Sequence, residues 1–156
     1  MNAVVSAALL TVALLSASPD EIEERVAEVR GYTEDELYCM AAVIYNEAGG
    51  DACCDECRYR VGDIVLNRAA DERFPNTIRE VIEQPGQYAG MGGGVKFAAR
   101  HVNPGEAHAV ERAYETARAI LGGERHSELY GAGYVWQATF MQVRDNVRCC
   151  GHWYGR

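Results

Sequence analysis

Glu47 ends an apolar run in the stretch YNEAGGDACCDEC, residues 45–57, and three cysteines, Cys53, Cys54 and Cys57, crowd in behind it. Two chemistries compete for this stretch. A carboxyl seven residues after Met40 and three after Ile44 sits at the margin of an apolar helical stripe, partly withdrawn from water. Partial desolvation and the negative end of a helix dipole both favour its protonated form, which suits a general acid that donates to a leaving oxygen. The other chemistry is metal binding. Cys54 and Cys57 have C-x-x-C spacing, and Cys149-Cys150 would complete four thiolates, although that second pair lacks the gap of a zinc knuckle. The bland alternative for Glu47 is a solvated residue at a helix end.

The elements that must position these groups are legible from capping and periodicity. Ser18, Pro19 and Glu21 predict a short charged helix, and residues 19–32 read as a linker helix. Thr33 and Glu36 form a second capping box, with Tyr32 stapled to Leu37, so a domain over 33–156 begins there. Leu37, Met40, Ala41, Ile44 and Ala48 recur at helical spacing until Gly49-Gly50, where a left-handed ending is expected. A helix over about 55–70 carries Cys57, Val61, Ile64 and Val65 on one face, and a short one carries Ile78, Val81 and Ile82. PGQYAGMGGGV, residues 85–95, has five glycines in eleven residues and reads as a mobile loop beside a site. Asn103-Pro104 opens a further helix with the stripe Ala107, Val110, Tyr114, Ala117 and Leu121. The aromatic, β-branched tail predicts two antiparallel strands turning near Asp145-Asn146.

Composition narrows the function. With 156 residues, 48% of them apolar, the chain suffices for one core. A formal charge of −8, with scattered arginines and a single lysine, Lys96, opposes a hold on phosphate backbones, so nucleic acid is excluded as a partner. Six cysteines favour an oxidising compartment and disulfides over zinc; they allow 15 pairings, among which sequence does not choose. Residues 1–18 hold a 15-residue apolar run. At about 22 Å as a helix it falls short of the roughly 30 Å hydrocarbon layer, so no stable membrane span is expected and an export signal or anchor is.

From Thr33 to its end, about four-fifths of its length, the chain resembles the cell-wall hydrolase family named for the spore-cortex-lytic enzyme SleB. The resemblance rests on EAGGD at 47–51, VLNR at 65–68, FPNTI at 74–78, GQY at 86–88 and GHWY at 151–154, in that order. It implies an α+β, mainly α, compact lysozyme-like domain with a small C-terminal antiparallel hairpin or sheet. It also implies a secreted or envelope-associated monomer that cleaves peptidoglycan as a lytic transglycosylase, with Glu47 as the one essential carboxylate and no cofactor or metal. Asp51 departs from the family pattern, which more often has glutamate there, so an acid-base role for it is in doubt.

Around Glu47 each supporting residue has two readings. Asn67 and Arg68 either cap a helix end or face substrate. Gln87 and Tyr88 either pack or offer an amide to an acetamido group and a ring to a sugar face. Trp136, Gln137, Trp153 and Tyr154 either fill the core or line a saccharide groove, and His152 within GHWY is structural or substrate-binding rather than a metal ligand. A hydrolytic muramidase, a cysteine-dependent amidase or peptidase using Cys39, and a glycan-binding module without catalysis are the competing functions.

Overall fold

The computed structural model describes residues 18–50, 53–98 and 104–156. The apolar segment 3–17, Asp51 and Asn103 lie outside the described residues. Residues up to Glu34 form one unit and Asp35–Arg156 another. In the first, helix α1, Pro19–Arg30, is built as its sequence predicts. Ser18 Oγ accepts from the Glu21 backbone N–H, the Glu21 carboxylate accepts from the Ser18 N–H, and Gly31 ends the helix at a φ of 80°. The helix buries none of its residues.

In the second unit the expected α+β, mainly helical architecture is present. Helices α2, Glu34–Ala48, α3, Asp55–Ala69, α4, Ile78–Glu83, and α5, Pro104–Leu121, precede a three-stranded antiparallel sheet. Helix α2 is buried almost all round, at Leu37, from Cys39 through Tyr45 and again at Ala48, so it is the core helix rather than the one-sided helix its stripe predicted. Glu47 is therefore a carboxyl on the innermost element. Helix α3 contributes Val61, Ile64 and Val65, and it packs close to α5: a Cβ on Gly62 would meet Ile120 Cδ1 at 2.4 Å. That close approach turns the buried line of α5 to Ala109, Ala113, Thr116, Ala117 and Ile120, beside the stripe expected from periodicity. Small residues on one helix and glycine on the other make it possible.

Gly49 ends α2 for a different reason than expected. Its φ is not left-handed; a Cβ there would collide with the Tyr45 carbonyl oxygen at 2.2 Å, so glycine is required by space. The tail likewise differs from the expected hairpin. It forms three short strands, β1 Trp136–Ala138, β2 Asn146–Cys149 and β3 His152–Gly155, in the order β1-β3-β2. The tight turn is Cys150-Gly151, whose φ values of 45° and 92° are both left-handed, as a two-residue type I′ hairpin demands. Asp145-Asn146 instead enters β2 from the crossover out of β1.

Candidate active site

Side chains alternate along a strand, so the register decides which tail residues face inward. Gln137 pairs with Tyr154, Val147 with Tyr154, and Cys149 with His152, which puts all five on one face. Tyr154 is fully buried in a cluster with Ile64, Leu129 and Tyr134, so this is the face turned to the helices. Trp136, Ala138, Arg148 and Trp153 take the other face. Trp136 packs edge-on against Phe74 at 6.2 Å between ring centres, and Arg148 lies over Trp153.

The inward face meets the C-terminal end of α2 at a cleft of about 380 Å³ lined by Glu47, Gln87, Tyr88, Gln137, His152 and glycines of the 86–92 segment. Gln137 Nε2 donates to Glu47 Oε2 at 3.2 Å, and His152 Nε2 stands 3.7 Å from the same oxygen. The Glu47 and His152 side chains are each 18% exposed, enough for a substrate to touch and too little for free hydration. Burial pushes the His152 pKa below its ordinary value, so at neutral pH the imidazole is a neutral polar neighbour of Glu47. Among the described lining residues Glu47 is the one acid.

The opposite wall is the glycine-rich segment. It is a run of tight turns rather than a free loop, with Gln87 N–H bonded to Gln84 O, Met91 N–H to Tyr88 O and Gly94 N–H to Met91 O. Tyr88 and Met91 are buried and anchor it, while Gln87 is exposed at the cleft. Burial drives the Tyr88 phenol up to about 12, so it stays neutral. Arg68 is 2% exposed and lies 5.4 Å from the Tyr88 ring and 5.3 Å from Phe74, with its Nε bonded to Val135 O. Its guanidinium is thus a wedge that sets Tyr88 against the sheet, not a surface for sugar. Asn67 is equally committed to the scaffold. Its amide donates to Leu129 O and Tyr134 O and accepts from the Gly131 N–H, stitching α3 to the chain that enters β1.

Of the residues predicted from sequence, the structure brings Glu47, Gln87, Tyr88, Gln137 and His152 to one cleft, buries Tyr154 in the core, and leaves Asn67, Arg68 and Trp136 as supports. Asn46 escaped the reading. Its side chain donates to Lys96 O and accepts from the Ala98 N–H, so the residue before Glu47 ties the far end of the glycine segment to α2. Only its adjacency to Glu47 hinted at this.

A disulfide joins Cys57, in the first turn of α3, to Cys149 at the end of β2, with Cα atoms 5.8 Å apart. It fastens the sheet wall to the helical core through the residue paired with His152. Cys39 is buried, and burial together with Asp35 drives its thiol up to about 11, which removes it as a nucleophile near neutral pH.

A family model described as cell wall hydrolase matches residues 54–150, more than half of the chain. The chain belongs to the cell wall hydrolase family. The match covers α3, the glycine segment, α5 and most of the sheet, and it begins seven residues after Glu47. For this cell wall hydrolase the reaction class is breakdown of peptidoglycan, which lies outside the cytoplasm. No curated protein and no solved structure matches the chain. No helix among the described residues is long and apolar enough to cross a membrane.

Proposed function

We propose that this cell wall hydrolase cuts the glycan strand of peptidoglycan between N-acetylmuramic acid and N-acetylglucosamine, as a lytic transglycosylase of SleB type with Glu47 as sole general acid and base. The observation that carries this reading is the half-buried Glu47 carboxyl in the cleft, with Gln137 donating to it and no second acid among the described lining residues. Glycosidases that rely on two carboxylates need the second at a set separation across the bond. A lone acid fits a reaction in which the sugar supplies its own nucleophile.

In that reaction the Glu47 proton passes to the bridging oxygen as the bond to the muramic anomeric carbon breaks and positive charge develops on the ring. The muramic C6 hydroxyl then bonds to that carbon and its proton returns to Glu47, which closes a 1,6-anhydro ring and restores the acid. Gln137 holds the carboxyl in one orientation through both transfers. Neutral His152 and neutral Tyr88 add no charge of their own beside the carboxyl. Gln87 stands where an acetamido group can exchange hydrogen bonds with it.

Replacing Glu47 by Gln keeps the shape and removes the proton. Clearing of purified cell walls is expected to fall by about 10²–10⁴-fold while wall binding persists. Undiminished clearing would refute the reading. Mass spectrometry of the released muropeptides tests the finer step: anhydro products are one water lighter than hydrolysed ones, and hydrolysed products alone would make the protein a muramidase. Cys39→Ser is expected to leave clearing intact.

A further inference from the structure

The chemistry of the cleft uses none of the sulfurs gathered beside its sheet wall. Those of Cys54, Cys57, Cys149 and Cys150 all lie within 4.8 Å of one another. We propose that, with the Cys57–Cys149 bond reduced, these four thiolates form a tetrahedral site for one zinc-class divalent ion.

The spacing supports it first. Metal–sulfur bonds of about 2.3 Å in a tetrahedron put sulfurs roughly 3.8 Å apart. Cys54 Sγ is 3.4 Å from Cys149 Sγ and 3.4 Å from Cys150 Sγ, and the vicinal Cys149 and Cys150 sulfurs are 4.0 Å apart. These separations bracket the tetrahedral value. Adjacent residues of a regular strand point to opposite faces, which is why a Cys-Cys pair without a gap looks unsuited to one metal. The hairpin turn removes that objection: Cys150 has left strand geometry at a φ of 45°, and its sulfur comes back to the side of Cys149.

The surroundings favour thiolates. Cys54 is the N-cap of α3 and Cys57 lies in its first turn, where the positive end of the helix dipole stabilises negative sulfur. The Cys54 backbone N–H donates to Cys150 Sγ at 3.3 Å, a contact that suits a negatively charged sulfur. Cys54 and Cys150 are exposed and Cys57 is buried, so an ion enters from solvent and seats against the core.

The site and the disulfide are alternative states of the same atoms. A phosphine reductant gives two electrons to the Cys57–Cys149 bond, water supplies the two protons, and its oxygen ends on the phosphine. Metal binding then makes four metal–sulfur bonds and releases the thiol protons. Either state joins α3 to the hairpin that carries His152.

Anaerobic titration of the full phosphine-reduced chain with Co²⁺ tests the proposal. The intense visible bands of tetrahedral thiolate-ligated cobalt are expected, saturating at one ion per chain and displaced by Zn²⁺. Cys54→Ser and Cys150→Ser are each expected to weaken affinity by more than the roughly 10–100-fold that loss of an outer-shell partner costs. Cys39→Ser leaves it unchanged. A reduced chain that stays folded by circular dichroism and develops no such bands overturns the proposal, as do bands of full intensity in the variant lacking both Cys54 and Cys150. If reduction unfolds the chain, refolding is compared with and without Zn²⁺: recovery only with the ion supports the site, and equal recovery or none overturns it.

Discussion

The two walls of the cleft are built by different means. The sheet wall places Gln137 and His152 through strand register, and a disulfide from Cys57 to Cys149 fastens that register to α3. The turn wall has no ladder. It holds Gln87 by a succession of four-residue hydrogen-bonded turns, two buried anchors in Tyr88 and Met91, and a tether from Asn46. Gln137 and His152, which flank the Glu47 carboxyl, come from the cross-linked wall, and Gln87, which on the proposed function would meet substrate at a distance, comes from the other. A proton transfer tolerates little misplacement, whereas gripping a polymer gains from a surface that adjusts.

Opening the sheet wall is expected to have the largest effect. Cys57→Ala removes a cross-link between residues 92 apart in sequence. A loss of about 2–4 kcal/mol in stability is expected, read as a lower urea midpoint with a somewhat steeper slope, because the denatured chain without the cross-link exposes more surface. If the midpoint does not move, the ladder alone fixes this wall and the contrast loses half its basis.

A smaller effect tests the chemistry of the same wall. Gln137→Leu leaves Glu47 without its amide donor, and a hydrogen bond to a charged group is worth about 1.5–3 kcal/mol. Turnover is expected to fall about 10- to 100-fold with little change in KM or in unfolding midpoint. Gln87→Ala on the turn wall should do the reverse, raising KM with turnover nearly kept. Equal effects of the two substitutions on turnover would erase the division of labour.

How much of this was legible follows the range of each interaction. The helices were, because capping and a period near 3.6 act within a few residues: Ser18 with Glu21, or Ile78 with Val81 and Ile82. Glu47 was legible as a carboxyl at a stripe's edge for the same reason. The hairpin turn was not, since Asp145-Asn146 is the stronger local turn signal and Cys150-Gly151 wins through pairing of the flanking strands. Whether Trp136 or Gln137 faces the cleft depends on a one-residue register, which no local pattern near Trp136 encodes. Asn67 and Arg68 were recognised as helix-end residues, yet their partners lie more than sixty positions away and only the fold reveals them.

Backbone strain separates the walls on a finer scale. Gly86 and Gly90 have φ values of 76° and 74°, and a Cβ at either would meet nothing within 4 Å. Alanine at each should therefore cost only the left-handed penalty, about 1 kcal/mol, with no clash to relieve. Wall clearing should hold for each single variant. A large loss of clearing without loss of stability would mean that the turn wall, too, is held to catalytic tolerance.

The smallest effect concerns the balance of forces on the one imidazole in the cleft. Burial lowers the His152 pKa, and an ionised Glu47 at 3.7 Å would act against it. If burial wins, the unfolded chain takes up a proton near its ordinary pKa of about 6.5 while the folded chain resists, so stability drains away as pH falls from about 7 into the window below 6.5. Asp63 opposes this. Burial raises its pKa to about 6, so the folded chain binds a proton that the unfolded chain has lost, and this group adds stability as pH falls towards about 4. Subtracting the urea midpoints of His152→Gln from those of the parent at pH 7.5 and 5.5 cancels the Asp63 contribution and isolates the imidazole. The parent should lose more stability than the variant on acidification. A variant that loses more than the parent would mean that the Glu47 carboxylate, not burial, governs His152, and the sheet wall would then present a cation to the substrate.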